Sequence, residues 1–210
     1  MQVELLYAYP IEIIVNAART SHGCKYINKY TQDDEAFLKK LIENRHLSVF
    51  EHWHATFLIS GCSQICMSQL TRHRTFNFTI KSKRYTLKKD IKNGIDVNIS
   101  SDDYIYAETI LNQILDIYGK TLKMVTDKYD INNDMLEYIV PCSYKTDIFL
   151  TADLRNLFNF FELRVSTKAH EEIRSLAMEM LRKLPENIYN LIYHYISLQN
   201  EYKEYLKKRK

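Results

Sequence analysis

The apolar residues of this chain fall in short periodic runs separated by polar punctuation, so its elements can be read in order. Val3 to Tyr9 alternates and predicts a strand, ended by Pro10. Ile11, Ile14, Val15 and Ala18 share one face of a helix that runs to Arg19 and stops at Gly23. Asp33 and Asp34 open a second helix with Phe37, Leu38, Leu41 and Ile42 as its apolar positions. Phe50 to Ile59 predicts a strand, broken at Gly61 before a helix from Cys62 to Arg72. In that helix Cys62, Ile65 and Cys66 make a stripe which, continued at about 100° per residue, runs into Gln69 and His73. An apolar helix face that turns polar at its end predicts a pocket. Beyond it Phe76, Phe78 and Ile80 alternate with Asn77, Thr79 and Lys81, an extended segment.

After Leu87 a polar stretch around Asn93-Gly94 reads as a loop. Ser101 or Asp102 caps a helix carrying Tyr104, Ile110, Leu111, Ile114, Leu115 and Tyr118. Gly119 divides it from a second helix through Leu122, Val125 and Tyr129, and Asn132 or Asn133 caps a short third that ends near Pro141. The segment from Cys142 to Ala152 predicts a strand. Thr151 to Arg164 follows as a helix with Leu154, Leu157, Phe158 and Phe161 inward, and a last amphipathic helix runs from Lys168 to Leu184.

With 210 residues, only 4 Gly and 3 Pro, the chain is long enough for one domain with a sizeable core and short of linker composition. A net charge of +3 is too mild for a dedicated nucleic-acid binder, and part of it sits in a terminal Lys/Arg run that reads as a solvated end. No run approaches the roughly 20 apolar residues needed to span a membrane. The first ten residues lack the charged start and apolar core of a secretory leader. Cys24, Cys62, Cys66 and Cys142 form no Cys-x-x-Cys pair; they read as reduced, Cys62 and Cys66 as core residues, and the expected setting is the cytoplasm with no metal. Sixteen Tyr suit wet interfaces and point weakly to subunit contacts.

The chemistry concentrates between Gln69 and Leu87. Arg72, His73 and Arg74 stand in succession, followed after seven residues by Ser82 and then Lys83, Arg84 and Tyr85. A hydroxyl and cations at the end of an extended segment suit a phosphate or carboxylate. A solvated basic hairpin or a nucleic-acid patch would use the same residue types. A second dense stretch, Arg45 to His54, holds three His, a Glu and a Ser; His52 and His54 share a face if extended, though residue type alone favours surface histidines. On the 151–164 helix, Arg155, Asn159 and Glu162 make a polar stripe beside the apolar one.

The order Arg-His-Arg, seven residues, Ser, then Arg-Tyr resembles the signature of the flavin-dependent thymidylate synthases. His46, Ser48, Glu51 and His52 match a His-x-Ser/Thr-Pro-x-Glu-His pattern of that family, with Val49 for the proline. Arg155, Asn159 and Arg164 match a later Asn-x-Arg-x-x-x-Asn-x-x-x-x-Arg element, with Asp153 for its first Asn. With Ala17-Ala18-Arg19-Thr20-Ser21 near the start, the resemblance covers nearly the whole chain, and it is nearest to a divergent bacterial and viral branch. It implies a single α+β domain over 1–210, an antiparallel sheet with a helical part, binding FAD. The implied reaction methylates dUMP at C5, with methylenetetrahydrofolate as carbon donor and NADPH as reductant. It also implies a homotetramer with sites shared between subunits, which suits Arg155 and Arg164, roughly half a turn apart on one helix at about 100° per residue.

Carried over by position, Ser48, Arg72, His73, Arg74, Arg155 and Asn159 would hold FAD, with Ser21 and His46 beside it. Gln69, Arg72, Ser82, Lys83 and Arg84 would hold dUMP, and Arg164 would stabilise charge on the uracil ring. The chain departs from the family at Thr79 and Ile80, where many members have Asn-Glu, and at Asp153. It departs also at Glu137, where many have an Arg on the nucleotide phosphate. A carboxylate repels that phosphate, so Lys145 is expected to replace the missing cation. These departures leave open hydroxymethyl transfer, dCMP as substrate, or a non-catalytic nucleotide-binding homologue.

Overall fold

Four strands pair in one antiparallel sheet of order β1-β2-β4-β3, where β1 is Gln2–Ala8, β2 is His54–Ser63, β3 is Asn77–Ile80 and β4 is Lys145–Asp153. The structure is a computed structural model and describes residues 1–99 and 105–207. Its helices are α1 (Glu12–Thr20), α2 (Gln32–Glu43), α3 (Gln64–Leu70), α4 (Lys83–Lys92), α5 (Ile105–Lys128), α6 (Asn133–Glu137), α7 (Leu154–Arg164), α8 (Glu171–Lys183) and α9 (Glu186–Lys207), with a 3-10 turn at Ser48–His52. This is the expected α+β class. Among the described residues no helix is long and apolar enough to cross a membrane.

The chain divides into two compact units. One comprises Met1–Gln2, Ile59–Arg72 and Thr79–Ile148; the other comprises Val3–Leu58, His73–Phe78 and Phe149–Lys210. In the second unit α7 is the hub. Asp153 caps it, accepting from the Asn156 backbone N at 2.9 Å, which satisfies one of the first-turn donors that a helix leaves without partners. Leu154, Leu157, Phe158, Phe160 and Phe161 are buried along it, and it packs against α8, α9 and the 3-10 turn. Thr31 and Asp34 form a reciprocal capping box at the start of α2. At its other end Arg45 takes a positive φ of 61°, and His46 N bonds back to Leu41 O at 2.9 Å, turning the chain toward Ser48. Trp53 is fully buried, with Nε1 donating to Tyr9 O at 2.6 Å.

In the first unit α4, α5 and α6 close around Leu87, Ile91, Val97, Leu122, Leu136 and Tyr144, with Leu115 and Tyr118 of α5 packed on that cluster. On β4, buried Thr146 and Ile148 alternate with the exposed Asp147, as the period of a strand requires.

Several expected boundaries move. The strand begins at His54 rather than Phe50, because Phe50 sits in the 3-10 turn, and it runs through Gly61 to Ser63. Gly61 adopts φ +74° inside the strand, a conformation that glycine takes at little cost. Cys62 therefore belongs to β2, Ser63 caps α3, and Ile65 is exposed while Cys66 and Leu70 are buried. The residues after Ser82 form α4, a helix absent from the sequence reading; Asn93-Gly94 ends it rather than forming the middle of a loop. α5 passes through Gly119 unbroken, where a Cβ would meet Ile95 Cγ2 at 3.1 Å, so the glycine serves close approach rather than a break. The expected caps Ser101 and Asp102, and Tyr104, lie outside the described residues. After Leu184 the chain continues as α9, which buries Ile188, Leu191 and Ile192.

Candidate active site

His73 of the Arg-His-Arg segment and the last turn of α7 meet within the second unit. Arg164 closes α7, and its Nε donates to His73 Nε2 at 3.0 Å across 91 positions of sequence. His73 is only 8% exposed, stacked on Phe76 at 5.5 Å and edge-on to Phe160 at 5.0 Å. Burial, with the Arg164 cation beside it, pushes the imidazole down to about 4. His73 is therefore neutral at ordinary pH. Its Nε2 is the acceptor, and Nδ1 carries the proton.

The other expected cofactor residues of this unit lie on its surface. Ser48 opens the 3-10 turn, which packs against α7, and both Arg155 and Asn159 of α7 are exposed. Arg155 pairs with Glu51 of the same turn, an exposed contact of small energetic weight. Arg74 is exposed, as is His46 just beyond α2. Ser21 is exposed too and donates its hydroxyl to Ala18 O at 2.7 Å, so it serves the end of α1.

The expected nucleotide residues, apart from Arg164, lie in the first unit. Arg72 is exposed just after α3, and Gln69 is half-buried on that helix. Ser82 is the N-cap of α4, but its side chain makes no capping bond. Lys83 and Arg84 are in the first turn of α4, where cations oppose the helix dipole and an anion would be welcome. Both are met by carboxylates of the α6 helix: Lys83 Nζ lies 3.7 Å from Glu137 and Arg84 Nε 3.4 Å from Asp134. Arg84, Asp134, Glu137 and Tyr138 line a pocket of about 560 Å³. Lys145 begins β4, half-buried, its backbone N donating to Asp96 O at 3.0 Å.

One cluster of this unit escaped the sequence reading. Asp90 of α4 accepts from Lys81 at 2.9 Å, from the Tyr144 hydroxyl at 2.7 Å and from Thr86 at 3.1 Å. Burial works against its charge, yet the bonds from Lys81 and Tyr144 outweigh it and hold the carboxyl below its usual range. Burial and the neighbouring Asp90 push the Tyr144 phenol up. The cluster fixes α4 against the strand ends, and so fixes where Lys83 and Arg84 stand. In the sequence its one signal is the four-residue spacing of Thr86 and Asp90.

One unit thus holds His73 bonded to Arg164, and the other holds Lys83 and Arg84 facing Glu137 and Asp134. The family described as "Thymidylate synthase complementing protein" matches residues 5–188, and the chain belongs to it. The flavin-dependent thymidylate synthase of Campylobacter jejuni (strain RM1221) is 31% identical over 193 residues, 89% of this chain and 93% of that protein. That of Helicobacter pylori (strain ATCC 700392 / 26695) is 29% identical over 198 residues, 88% and 94% respectively. A crystal structure of ThyX from Helicobacter pylori complexed with FAD and dUMP matches with a TM-score of 0.79 at 28% identity, over 91% of this chain and 98% of that one.

Proposed function

We propose that the chain, acting as one functional domain over residues 1–210, is an FAD-dependent methyltransferase that converts dUMP to dTMP. In this reading methylenetetrahydrofolate donates the carbon and NADPH is the reductant. The observation that carries it is the His73–Arg164 hydrogen bond, which joins two motif elements distant in sequence. The similarity to a protein solved with FAD and dUMP supports both ligands.

The side chains suit a flavin dinucleotide. Ser48, Arg155 and Asn159 offer a hydroxyl, a guanidinium and an amide on adjoining elements, and Arg74 and Arg72 add charge, the donors a diphosphate requires. Ser21 and His46 would flank them. An imidazole held among Phe76 and Phe160 suits the neighbourhood of a flat aromatic ring. FAD, when bound, would supply hydride chemistry, so this reading calls for no cysteine nucleophile, and Cys62 and Cys66 are buried. Gln69, Arg72, Ser82, Lys83, Arg84 and Lys145 bind the nucleotide, and Ser82 acts by hydrogen bonding rather than as a nucleophile. Arg164 offsets negative charge that develops on the uracil ring, and neutral His73 orients its guanidinium.

The chain works as a homotetramer with sites shared between subunits. Tyr85 and Tyr138 are 82% and 87% exposed, an unusual outlay of aromatic surface for a face that stays in water. Nucleic acid and membrane are not partners in this reading, and the four free cysteines suit the cytoplasm. The purified protein should be yellow and should turn dUMP into dTMP with methylenetetrahydrofolate and NADPH. A protein that stays colourless after FAD is added would overturn the enzyme reading. A hydroxymethylated product, or reaction with dCMP in place of dUMP, seen by mass analysis of the nucleotide, would overturn the methylation or the substrate.

A further inference from the structure

Helix α5 has two apolar faces. Leu115, Tyr118 and Leu122 pack on the core of its own unit. Away from them Ile110, Ile114, Ile117 and Met124 are 62%, 57%, 65% and 72% exposed, with Ala107 and Thr121 exposed in the same line. The positions 107, 110, 114, 117, 121 and 124 advance by alternating steps of three and four, the spacing of a coiled-coil seam. A helix that had only its own core to serve would carry polar residues there.

We propose that this face of α5 docks antiparallel against the same face of a second copy of the chain. The seam is close to palindromic. A twofold axis between Ile114 and Ile117 sets Ile114 against Ile117 of the second copy, Ile110 against Thr121 and Ala107 against Met124. The central layers then join isoleucines, the next set Ile110 against Thr121, whose hydroxyl is taken up by Ile117 O at 2.9 Å, and the end layers set the smallest side chain against the longest. Self-complementarity of this kind is what an isologous contact demands. Charge selects the same orientation. The amino-terminal half of α5 bears Glu108 and Asp116, and the carboxy-terminal half bears Lys120, Lys123 and Lys128 with one acid, Asp127. Antiparallel docking brings the acidic half of each copy to the basic half of the other and opposes the helix dipoles. Parallel docking would set like charges and like dipoles together. The Asp116–Lys120 pair at 2.7 Å is exposed and can exchange partners at small cost.

The proposal deepens the assembly named above by giving one of its contacts, and rests on that reading only for the number of copies. It is tested by the mass in solution of the full chain, measured by light scattering, with flavin absorbance and helical circular dichroism recorded on the same samples. Ile114→Glu with Ile117→Glu should halve the mass while the helical signal persists. Lys120→Glu with Lys123→Glu, which makes both halves acidic, should weaken association, and adding Glu108→Lys with Asp116→Lys should restore it. In a Cys24→Ser/Cys142→Ser background, Ile110→Cys with Thr121→Cys together should oxidise to a covalent dimer, and neither alone should do so. A wild-type protein that is monomeric, or an Ile114→Glu/Ile117→Glu protein of unchanged mass, would overturn the proposal. Efficient cross-linking by a single cysteine at 110 or 121 would overturn the antiparallel register. Loss of flavin at unchanged mass would count against the enzyme reading and leave this contact standing.

Discussion

His73 shows how much one side chain can carry. Its neutral form accepts from Arg164, and protonation would turn that acceptor into a donor facing a cation. The folded protein holds its pKa near 4 while the unfolded chain keeps about 6.5, so the unfolded state binds more protons between these values. The His73 contribution to stability is thus fully present above pH 6.5 and is lost as pH falls toward 4, by at most about 1.4 kcal/mol per pH unit. His73→Gln keeps an acceptor but cannot titrate. In urea unfolding, the stability of wild type relative to this variant should shrink as pH drops through that window. A difference that does not change with pH would mean that His73 is not held neutral. Glu137 raises a second question at this scale, because its carboxylate already meets Lys83 at 3.7 Å. If the dUMP phosphate meets Lys83 as proposed, it displaces that contact, so Glu137→Gln should lower the half-saturating dUMP concentration several-fold. Lys145→Ala should raise it by about 10- to 100-fold, the weight of a charge-assisted hydrogen bond. Turnover should stay near normal in both, since the phosphate charge is the same in substrate and transition state. If neither variant moves the dUMP requirement, phosphate is bound elsewhere.

At the scale of elements, the readable parts of the sequence were those with enough apolar periods to average over. α1, α2, α7 and α8 have three or more inward residues at helical spacing, and each lies close to where the pattern put it. α4 has only Leu87 and Ile91 on its buried face, amid Lys, Arg and Asp, so its helical period hardly registers in sequence; burial against α5 and α6 and the bonds at Asp90 make the helix. Glycine misled the reading twice, at Gly61 and Gly119, because sequence cannot tell a glycine that breaks an element from one that lets the chain bend or approach inside it. The site divides in the same way. The positions on the Arg-His-Arg and Arg-x-x-x-Asn elements were legible from their order, whereas the bond from Arg164 to His73 and the acids facing Lys83 and Arg84 come from pairings distant in sequence. Asp153 is explained at this scale. A departure from the family pattern in sequence, it is the N-cap of α7 in the structure. Asp153→Ala should cost about 1 kcal/mol, while Asp153→Asn, an equally good cap, should stay close to wild type in thermal unfolding. Equal losses in the two variants would show that charge rather than capping is what α7 needs.

For the whole molecule, the expected site residues are divided between the units, though not strictly by ligand. Ser21, His46, Ser48, His73, Arg74, Arg155, Asn159 and Arg164, the last expected at the uracil ring, belong to one, and Gln69, Ser82, Lys83, Arg84, Lys145 and Arg72, the last expected at both ligands, to the other. Arg155 and Arg164 also start from opposite sides of α7, nine positions apart, where about 100° per residue brings the chain half a turn round. One ligand pose on one chain cannot easily use both. An assembly in which each site draws on more than one copy removes the difficulty, and it makes a prediction that no single-chain site shares. Arg74→Ala with Arg155→Ala should cripple flavin binding, and Ser82→Ala with Arg84→Ala should cripple nucleotide binding, each giving a nearly inactive protein. Co-expressed in equal amounts, the two would assemble at random. If each site takes its flavin residues from one copy and its nucleotide residues from another, about one site in four would receive intact sets from both. The mixture should therefore recover up to about a quarter of wild-type turnover, with flavin absorbance and dUMP requirement at the recovered sites like those of the wild type. Sites that each belong to one chain would always carry one crippled set. Activity of the co-expressed mixture no greater than the sum of its parents would end the shared-site assignment.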